Sequence, residues 1–232
     1  MNFLQLAQRL SVECGISGTG PTSVLNQTGM NAKLVNWIQS AWLEIQGVHD
    51  QWAWMREPFA FETVAGTGDY LPATTVNTLT GDVLSDLRFW HKDTLRCQRV
   101  SIGVQDEQWL VEWDYQVFRN TYRFNLQVNG RPVVFAIKPN GKAVMLGQIP
   151  DDVYSVTGEY QYLPREMVGN TAVPEMPNDA LHMAIVYKAM QFYGMFEAAP
   201  EVLGRGNTEY TRLMNQLERE QLPEVILGNP LA

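Results

Sequence analysis

Residues 51–63 read QWAWMREPFAFET, and within this stretch the spacing of apolar residues changes from helical to strand-like. Upstream, apolar residues recur every three or four positions, which predicts a helix over 31–56. Pro58 is expected to end that helix, because its ring removes a backbone donor and clashes with the preceding turn. Downstream, the run FAFETV alternates with a period of two. The apolar stripe of the predicted helix consists of Leu34, Ile38, Ala41, Trp42, Ile45, Val48, Trp52 and Met55.

Three further helices are predicted at 3–14, 178–196 and 207–221. The first has Asn2 in place as its N-cap and Gly15 as the residue that ends it. The second is apolar on more than one side, so we expect it to be the buried central member of a bundle. The residues expected to separate the last two helices are Pro200, Gly204 and Gly206.

The chain between these helical segments is predicted to form a meander of antiparallel strands. Its turn signals are Asn129-Gly130 and Pro139-Asn140-Gly141. A short helix is predicted to interrupt the strands at 105–117, where Trp109, Leu110, Trp113 and Val117 share a face. The strand-like runs are FAFETV, LRFWH, LRCQRVSI, YRFNLQV, RPVVFAI, KAVMLG and VYSVTGEYQYL.

The order of these elements predicts an α+β fold. We expect a small helical bundle of two N-terminal and two C-terminal helices, with an inserted antiparallel β-rich module and an extended C-terminal tail. The predicted boundaries are 1–57 for the N-terminal helices, 58–165 for the β module, 166–221 for the C-terminal helices and 222–232 for the tail.

Charge and cysteine content narrow the class of function. The chain has 17 Lys and Arg against 25 Asp and Glu, a net charge of −8, so it lacks the excess of positive charge that sequence-specific nucleic-acid binding needs. Cys14 and Cys97 are too few for a disulfide framework and lack metal-site spacing, so we expect unpaired thiols. Without a basic start or a run of about 20 apolar residues, the chain is expected to be soluble and unexported.

Histidines and glycines give no sign of a metal or nucleotide site. His49, His91 and His182 are far apart, and none has a second ligand at metal-site spacing. The loop GISGTGPTS lacks the Lys that follows the last Gly of a phosphate-binding P-loop. We therefore expect no metal and no cofactor.

Paired carboxylates are the remaining catalytic possibility, because glycoside hydrolysis needs only that two of them lie close in space. Acidic residues at turns are usually solvated instead. We therefore expect no catalytic residues and no enzymatic activity. The acids considered are Glu62, Asp69, Asp151 and Asp152.

Two tryptophans lie off the apolar stripe of the helix predicted over 31–56. Trp54 comes sixteen residues after Ile38, which on a continuous helix places it about 160° around the axis. Trp37 is displaced by one residue's rotation. Because tryptophan is enriched at the energetic centres of interfaces, Trp37 and Trp54 are predicted subunit-interface residues. The alternative is that the β module covers both rings.

The C-terminal tail is apolar, although a free segment would expose it to water. An extended apolar peptide can instead bind a groove or sheet edge of a partner, and two prolines favour an extended chain. Packing on its own domain is the alternative. The predicted docking residues are Leu222, Pro223, Val225, Ile226, Leu227, Pro230 and Leu231.

Three stretches follow one another in an informative order. They are QWAWMR with PFAFETVAGTGDYLPA, then KPNGKAVMLGQIPDDVYSVTGEYQYLPREM, then PEMPNDALHMAIVYKAM before a last charged helix. This order of aromatic, proline and turn residues resembles that of tailed-bacteriophage head-to-tail adaptors, also called head completion or neck proteins. Where that family usually has an acid before the first Trp, this chain has Asp50 and Gln51.

The resemblance implies a structural protein of the virion neck, made in the cytoplasm of the host bacterium. Twelve copies would form a ring beneath the portal protein, with tail or nozzle proteins as further partners and no membrane contact. The seven apolar tail residues would dock in clefts of the portal. DNA would pass through the ring without sequence-specific contacts, because an acidic channel repels it.

Two alternatives remain open at this point. The chain is also compatible with a carbohydrate-binding or glycan-acting protein that uses the aromatic-rich β module as a platform. A tail-tube or stopper protein would share the virion context and differ in the ring that it contacts.

Overall fold

The computed structural model describes residues 1–124, 128–139 and 142–223, and its mixed helix and sheet content confirms the predicted α+β class. The chain divides into two compact units. The helical unit comprises Met1–Met55 and the described residues from Pro164 onward, and the β unit comprises Arg56–Leu163. The helices are α1 (Phe3–Glu13), α2 (Gly29–Val48), α3 (Tyr115–Tyr122), α4 (Met183–Phe196) and α5 (Pro200–Gln221).

The strands all belong to the β unit, and several of them are only two residues long. They are β1 (Arg56–Glu62), β2 (Asp69–Tyr70), β3 (Val76–Asn77), β4 (Leu87–Arg99), β5 (Gln108–Trp109), β6 (Val111–Glu112), β7 (Val134–Ile137), β8 (Val144–Gly147) and β9 (Tyr154–Tyr162).

Helix α4 is the central helix of the helical unit, as predicted from its apolar residues on more than one side. It packs against α1, α2 and α5. The residues of α4 that are buried in these contacts are Ala184, Ile185, Val186, Ala189, Met190 and Gly194.

Helix α1 has the predicted cap. The Asn2 side chain accepts a hydrogen bond from the Gln5 backbone, and the Gln5 side chain accepts one from the Asn2 backbone, which together form a capping box. The Phe3 N–H donates to the Ala172 carbonyl at 2.7 Å, so a segment distant in sequence satisfies another donor of the first turn. Gly15 follows the helix with φ of +66°.

Helix α2 ends at Val48, so the prediction that it continues to residue 56 is wrong. The buried Trp52 folds back on the helix and donates from its indole Nε1 to the Ile45 carbonyl at 3.0 Å. This bond satisfies one of the carbonyls that a helix leaves without an intrahelical partner at its C-terminus. Met55 is buried by a short 3₁₀ turn, Ala53–Met55, which extends the apolar stripe without extending the helix.

Helix α5 begins at Pro200, seven residues before the predicted start, and the prediction that Pro200, Gly204 and Gly206 break the helical region is wrong. Pro200 occupies the first turn of α5, where proline loses no hydrogen bond. Gly206 lies against α4, and a Cβ at this position would be 3.0 Å from the Tyr187 carbonyl oxygen. The glycine therefore serves the close approach of two helices.

A buried glutamine fixes the chain where it returns to the helical unit. Gln46 of α2 is fully buried, and its side chain accepts from the Arg165 N–H and donates to the Arg165 carbonyl, both at 3.0 Å. A neighbouring β-strand would make the same two bonds to the Arg165 backbone. Because a buried amide without partners is costly, Gln46 specifies the position of this segment.

Among the described residues of the β unit, the strands form two sheets. The larger has the strand order β3-β1-β9-β4-β5, and the smaller has the order β2-β8-β7-β6, in which β6 and β7 are parallel and the other named pairs are antiparallel. Pro58 lies inside β1 and does not end a helix. Pro58 stands opposite Glu159 of β9, but its carbonyl accepts from the Thr78 N–H, so its backbone polar groups face the other side, where β3 pairs with Phe59 and Ala60 and not with Pro58.

The middle of the β unit differs most from the sequence prediction. The helix predicted over 105–117 is wrong, because β5 and β6 occupy this region and α3 begins at Tyr115. Asp114 caps α3 by accepting from the backbone of Gln116 and Val117. The strand predicted over 122–128 is wrong at its start, because Tyr122 is the last residue of α3. Residues 125–127 and the turn residues 140–141 lie outside the described ranges.

Aromatic rings fill the core of the β unit. The ring of Phe59 meets that of Trp90 edge-on, with centroids 4.5 Å apart. The ring of Phe61 stacks on that of Tyr70, with centroids 4.8 Å apart. Helix α3 covers the smaller sheet with Phe118, which contacts Val134, Ala136 and Met145. The core of this unit therefore rests on rings from strands that are distant in sequence.

We predict opposite effects of alanine at two glycines of the helical unit. A Cβ at Gly194 would lie 2.8 Å from the Leu203 Cβ and 2.9 Å from its backbone nitrogen, whereas a Cβ at Gly204 would meet nothing within 4 Å. Gly194→Ala should lower the free energy of unfolding by about 1–3 kcal/mol through overpacking. Gly204→Ala should raise it by about 0.5–1 kcal/mol. Urea denaturation measures both, and equal effects would contradict the packing of α4 on α5.

Candidate interaction surfaces

Two of the acids considered as catalytic residues share an arginine. Carboxylate oxygens of Asp151 and Asp152 lie 3.6 and 3.5 Å from guanidinium nitrogens of Arg99. Arg99 also donates to the Tyr154 hydroxyl, which donates to Asp151 at 2.7 Å. Both carboxylates thus have a cationic partner, and these contacts hold the turn before β9 in place.

The remaining acids lie apart from this pair. Asp69 forms an ion pair of 2.9 Å with Arg123, and Glu62 is the exposed last residue of β1. A further carboxylate, Asp106, accepts hydrogen bonds from the Arg131 side chain and the Arg99 N–H. These bonds, led by the one from Arg131, lower the pKa of Asp106. The contacts of Asp69 and Asp106 with arginines suit a role in fixing loops rather than in transferring protons.

The three histidines have separate structural partners. His49 Nε2 lies 2.9 Å from a Glu218 carboxylate oxygen, and His91 Nε2 lies 3.0 Å from the Gln161 amide oxygen. His182 is buried, and burial lowers its pKa, which favours the neutral imidazole. Within the described ranges, no group of three or more His, Cys, Asp or Glu residues is placed to hold a metal ion.

Both cysteines are free thiols, as expected. Burial raises the pKa of Cys14 to about 12 and that of Cys97 to about 11. Since the thiolate is the nucleophile, both side chains are poor candidates for reactive cysteines.

Trp54 does not lie on the far side of a helix, because α2 ends at Val48. Its ring stacks on the buried Trp52 with centroids 4.3 Å apart, and its side chain is half-buried. The far-side position predicted for Trp54 is therefore wrong, and its side chain is only partly accessible.

Trp37 is half-buried and belongs to an aromatic patch that we define as Lys33, Trp37, Tyr193 and Phe196 together with Met195, the exposed residue that precedes Phe196 on α4. The centroid of the Phe196 ring lies 5.6 Å from that of Trp37, and the Lys33 ammonium lies 3.4 Å above the Phe196 ring. Tyr193 meets Trp37 edge-on at 6.0 Å. Met195 is 62% exposed and Phe196 is 52% exposed. The aromatic patch thus presents a fixed, partly apolar surface at the end of α4.

The C-terminal tail begins at the end of α5. Leu222 has extended backbone angles, φ −94° and ψ 149°, and its N–H still donates to the Glu218 carbonyl. Leu222 and Pro223 are therefore the predicted docking residues that the structure places. The others, Val225, Ile226, Leu227, Pro230 and Leu231, lie outside the described residues.

Sequence reasoning missed two exposed features. It predicted that the helix over 178–196 is buried on more than one side, whereas Phe196 is 52% exposed, because periodicity identifies a helix face but not how far the neighbouring helices cover it. It placed Trp109 on a helix, whereas this residue is in the edge strand β5, 57% exposed, with the Arg96 guanidinium 4.2 Å from its ring centroid. Trp109, Leu110 and Val111 are three consecutive apolar residues, so the sequence has no alternation here that would indicate a strand.

Comparison with known proteins identifies the family. Among the residues described, no helix has both the length and the apolar character needed to span a membrane. A search of curated proteins finds no match. A family model described as SU10 adaptor protein matches residues 1–227, which is nearly the whole chain. The chain therefore belongs to the SU10 adaptor protein family, a family of bacteriophage head-to-tail adaptors with a structural role in the virion.

Proposed function

We propose that this protein forms a ring beneath the portal, links the capsid to the tail and continues the DNA channel. The observation that carries the proposal is the match to an adaptor family over residues 1–227. The physical features that support it are two surfaces suited to protein contacts, the aromatic patch and the C-terminal tail.

The aromatic patch is the proposed contact between neighbouring copies. Large exposed apolar side chains cost solvation free energy unless a partner covers them, and aromatic residues dominate the energetics of interfaces. The Trp37 ring packs against the Phe196 ring, and this contact restricts the positions that the exposed Phe196 ring can take. A rigid anchor loses little side-chain entropy on binding. Trp54, which is half-buried against Trp52, is a further proposed interface residue.

The tail is the proposed contact with the portal. The chain leaves α5 in an extended conformation at Leu222, which suits a peptide that lies in a groove. Binding to the portal would then bury the apolar side chains of the tail. Twelve copies would present twelve such tails, and multivalent attachment strengthens the binding of each.

The net charge of −8 suits a protein through which DNA moves. Lysine and arginine bind DNA by releasing counterions from phosphates, and this binding would resist sliding. An acidic lining repels the phosphates instead. DNA inside the channel is thus one proposed neighbour of the ring. Tail or nozzle proteins are further proposed partners. A tail-tube or stopper role differs only in the ring contacted, and binding to isolated portal rings separates the two.

Removing the tail should abolish portal binding without unfolding the protein. A chain ending at Gln221 keeps all of α5 but lacks every proposed docking residue. Co-sedimentation with portal rings of the same phage measures binding, and circular dichroism verifies the fold. Asn229→Ser is the matched control, because it changes a polar tail residue and should bind normally. Unchanged binding of the truncated chain would exclude the tail as the docking segment.

Polar substitutions in the aromatic patch should weaken assembly of copies on the portal. The double substitution Met195→Ser and Phe196→Ser is expected to weaken the apparent affinity for the portal at least about tenfold, which is equivalent to about 1.4 kcal/mol. Fewer copies should then be bound to each portal. Val168→Ser is the control, because Val168 is 81% exposed and lies outside the patch. Analytical ultracentrifugation of the portal mixture gives the number of bound copies. Equal occupancy for both variants would remove the patch from the interface.

A further inference from the structure

A cleft of about 440 Å³ lies on the outer face of the larger sheet. Its floor is bare backbone where Phe59 of β1 pairs with Gly158 of β9. A Cβ at Gly158 would point inward and meet the Phe59 ring at 2.9 Å, so neither residue places a side chain on the outer face. Glycine within a strand often marks a close approach to a ligand or to another backbone.

An irregularity in β4 shapes one side of this cleft. The register with β9 passes from His91 opposite Glu159 to Arg96 opposite Thr157, so residues 92–95 stand opposite Gly158 alone. The Thr94 hydroxyl fixes this bulge, because it donates to the His91 carbonyl at 2.6 Å and accepts from the Glu159 N–H at 2.9 Å. Strand bulges of this kind are common beside binding sites.

The walls of the cleft combine one aromatic ring with paired charges. Trp109 stands at one side, with the Arg96 guanidinium over its ring. Arg96 forms an ion pair of 3.3 Å with Glu107, and Arg56 forms one with Glu159. Both cations are thus neutralised within the site. An anion such as a phosphate would find no uncompensated charge here, which disfavours an anionic ligand.

The polar groups offer donors and acceptors together. Arg56 and Arg96 donate, the Glu159 carboxylate accepts, and the Thr157 hydroxyl does both. A sugar hydroxyl likewise donates and accepts at once, and the C–H face of a pyranose packs on an aromatic ring. An apolar side chain would displace the water around these polar groups without replacing its hydrogen bonds, at a cost in desolvation.

We propose that this cleft binds a neutral oligosaccharide. Trp109 is the stacking platform, and Arg56, Glu159 and Thr157 bind the hydroxyl groups of the stacked sugar. This activity goes beyond the proposed role in the neck, and it requires neither the ring nor the portal. It resides in the β unit, whereas the aromatic patch and the tail belong to the helical unit.

The test is binding of the full-length protein to an array of neutral, sulfated and sialylated glycans. The neutral oligosaccharide with the highest signal is then titrated by isothermal calorimetry. Trp109→Ala should weaken binding at least about tenfold, and Trp109→Phe, which retains an aromatic face, should weaken it less. Val104→Ser is the control, since Val104 is 75% exposed, belongs to the same unit and does not line the cleft. Circular dichroism verifies that each variant is folded.

Three results would overturn the proposal. The first is the lack of binding to any neutral glycan at concentrations up to about 10 mM, a range that covers weak sugar sites. The second is equal binding by the wild type and Trp109→Ala. The third is that Trp109→Ala weakens binding to another virion protein while no glycan binds, which would make the cleft a protein-docking surface.

Discussion

The antiparallel pairing of β1 with β9 is the constraint on which the rest of the structure depends. It runs from Arg56 opposite Gln161 to Glu62 opposite Ser155, so the chain enters and leaves the β unit on neighbouring strands. Because the two ends of the insertion are adjacent, α1 and α2 can share one core with α4 and α5 although more than a hundred residues separate them. Gln46 then holds the returning chain through two hydrogen bonds to the Arg165 backbone. Closing so long a loop costs entropy, and the seven-residue ladder offsets that cost.

Local patterns predicted the elements whose burial repeats regularly. The stripes of α1 and α4, the alternation in β1 and at the start of β9, and the continuous apolar runs of β7 and β8 correspond to observed helices and strands. The errors occur where a distant contact decides the structure. Trp52 continues the apolar stripe of α2, but its indole caps the helix instead of extending it. Gly206 resembles a helix breaker in sequence, and only the approach of α4 explains its place inside α5.

The candidate sites were predictable to different degrees. Trp37 was correctly noticed as a residue off the stripe, whereas the exposed ring of Phe196 depends on how far the neighbouring helices reach along α4. The cleft beside Trp109 could not be predicted, because it arises from a bulge in β4 opposite Gly158 and from edge strands of two residues. Short strands carry too little alternation to be distinguished from a helix turn.

The proposed function of this protein depends on surfaces that contact other proteins. Asp69, Asp151 and Asp152 were considered as catalytic acids from sequence and were not expected to be catalytic. They form ion pairs with arginines, and the cysteine thiols are buried. Membership of an adaptor family fits this distribution, because an adaptor works by presenting contacts in a fixed geometry. The helical unit presents a rigid aromatic patch and the start of an extended tail, and the β unit presents a cleft of balanced charge.

Electron cryo-microscopy of the protein bound to portal rings of its phage tests the central claim most directly. The account predicts that Phe196 and Trp37 are covered by a neighbouring copy and that residues 222–231 occupy clefts between portal subunits. A map in which the aromatic patch faces solvent, and in which the tail of each copy packs on its own helices, would contradict it.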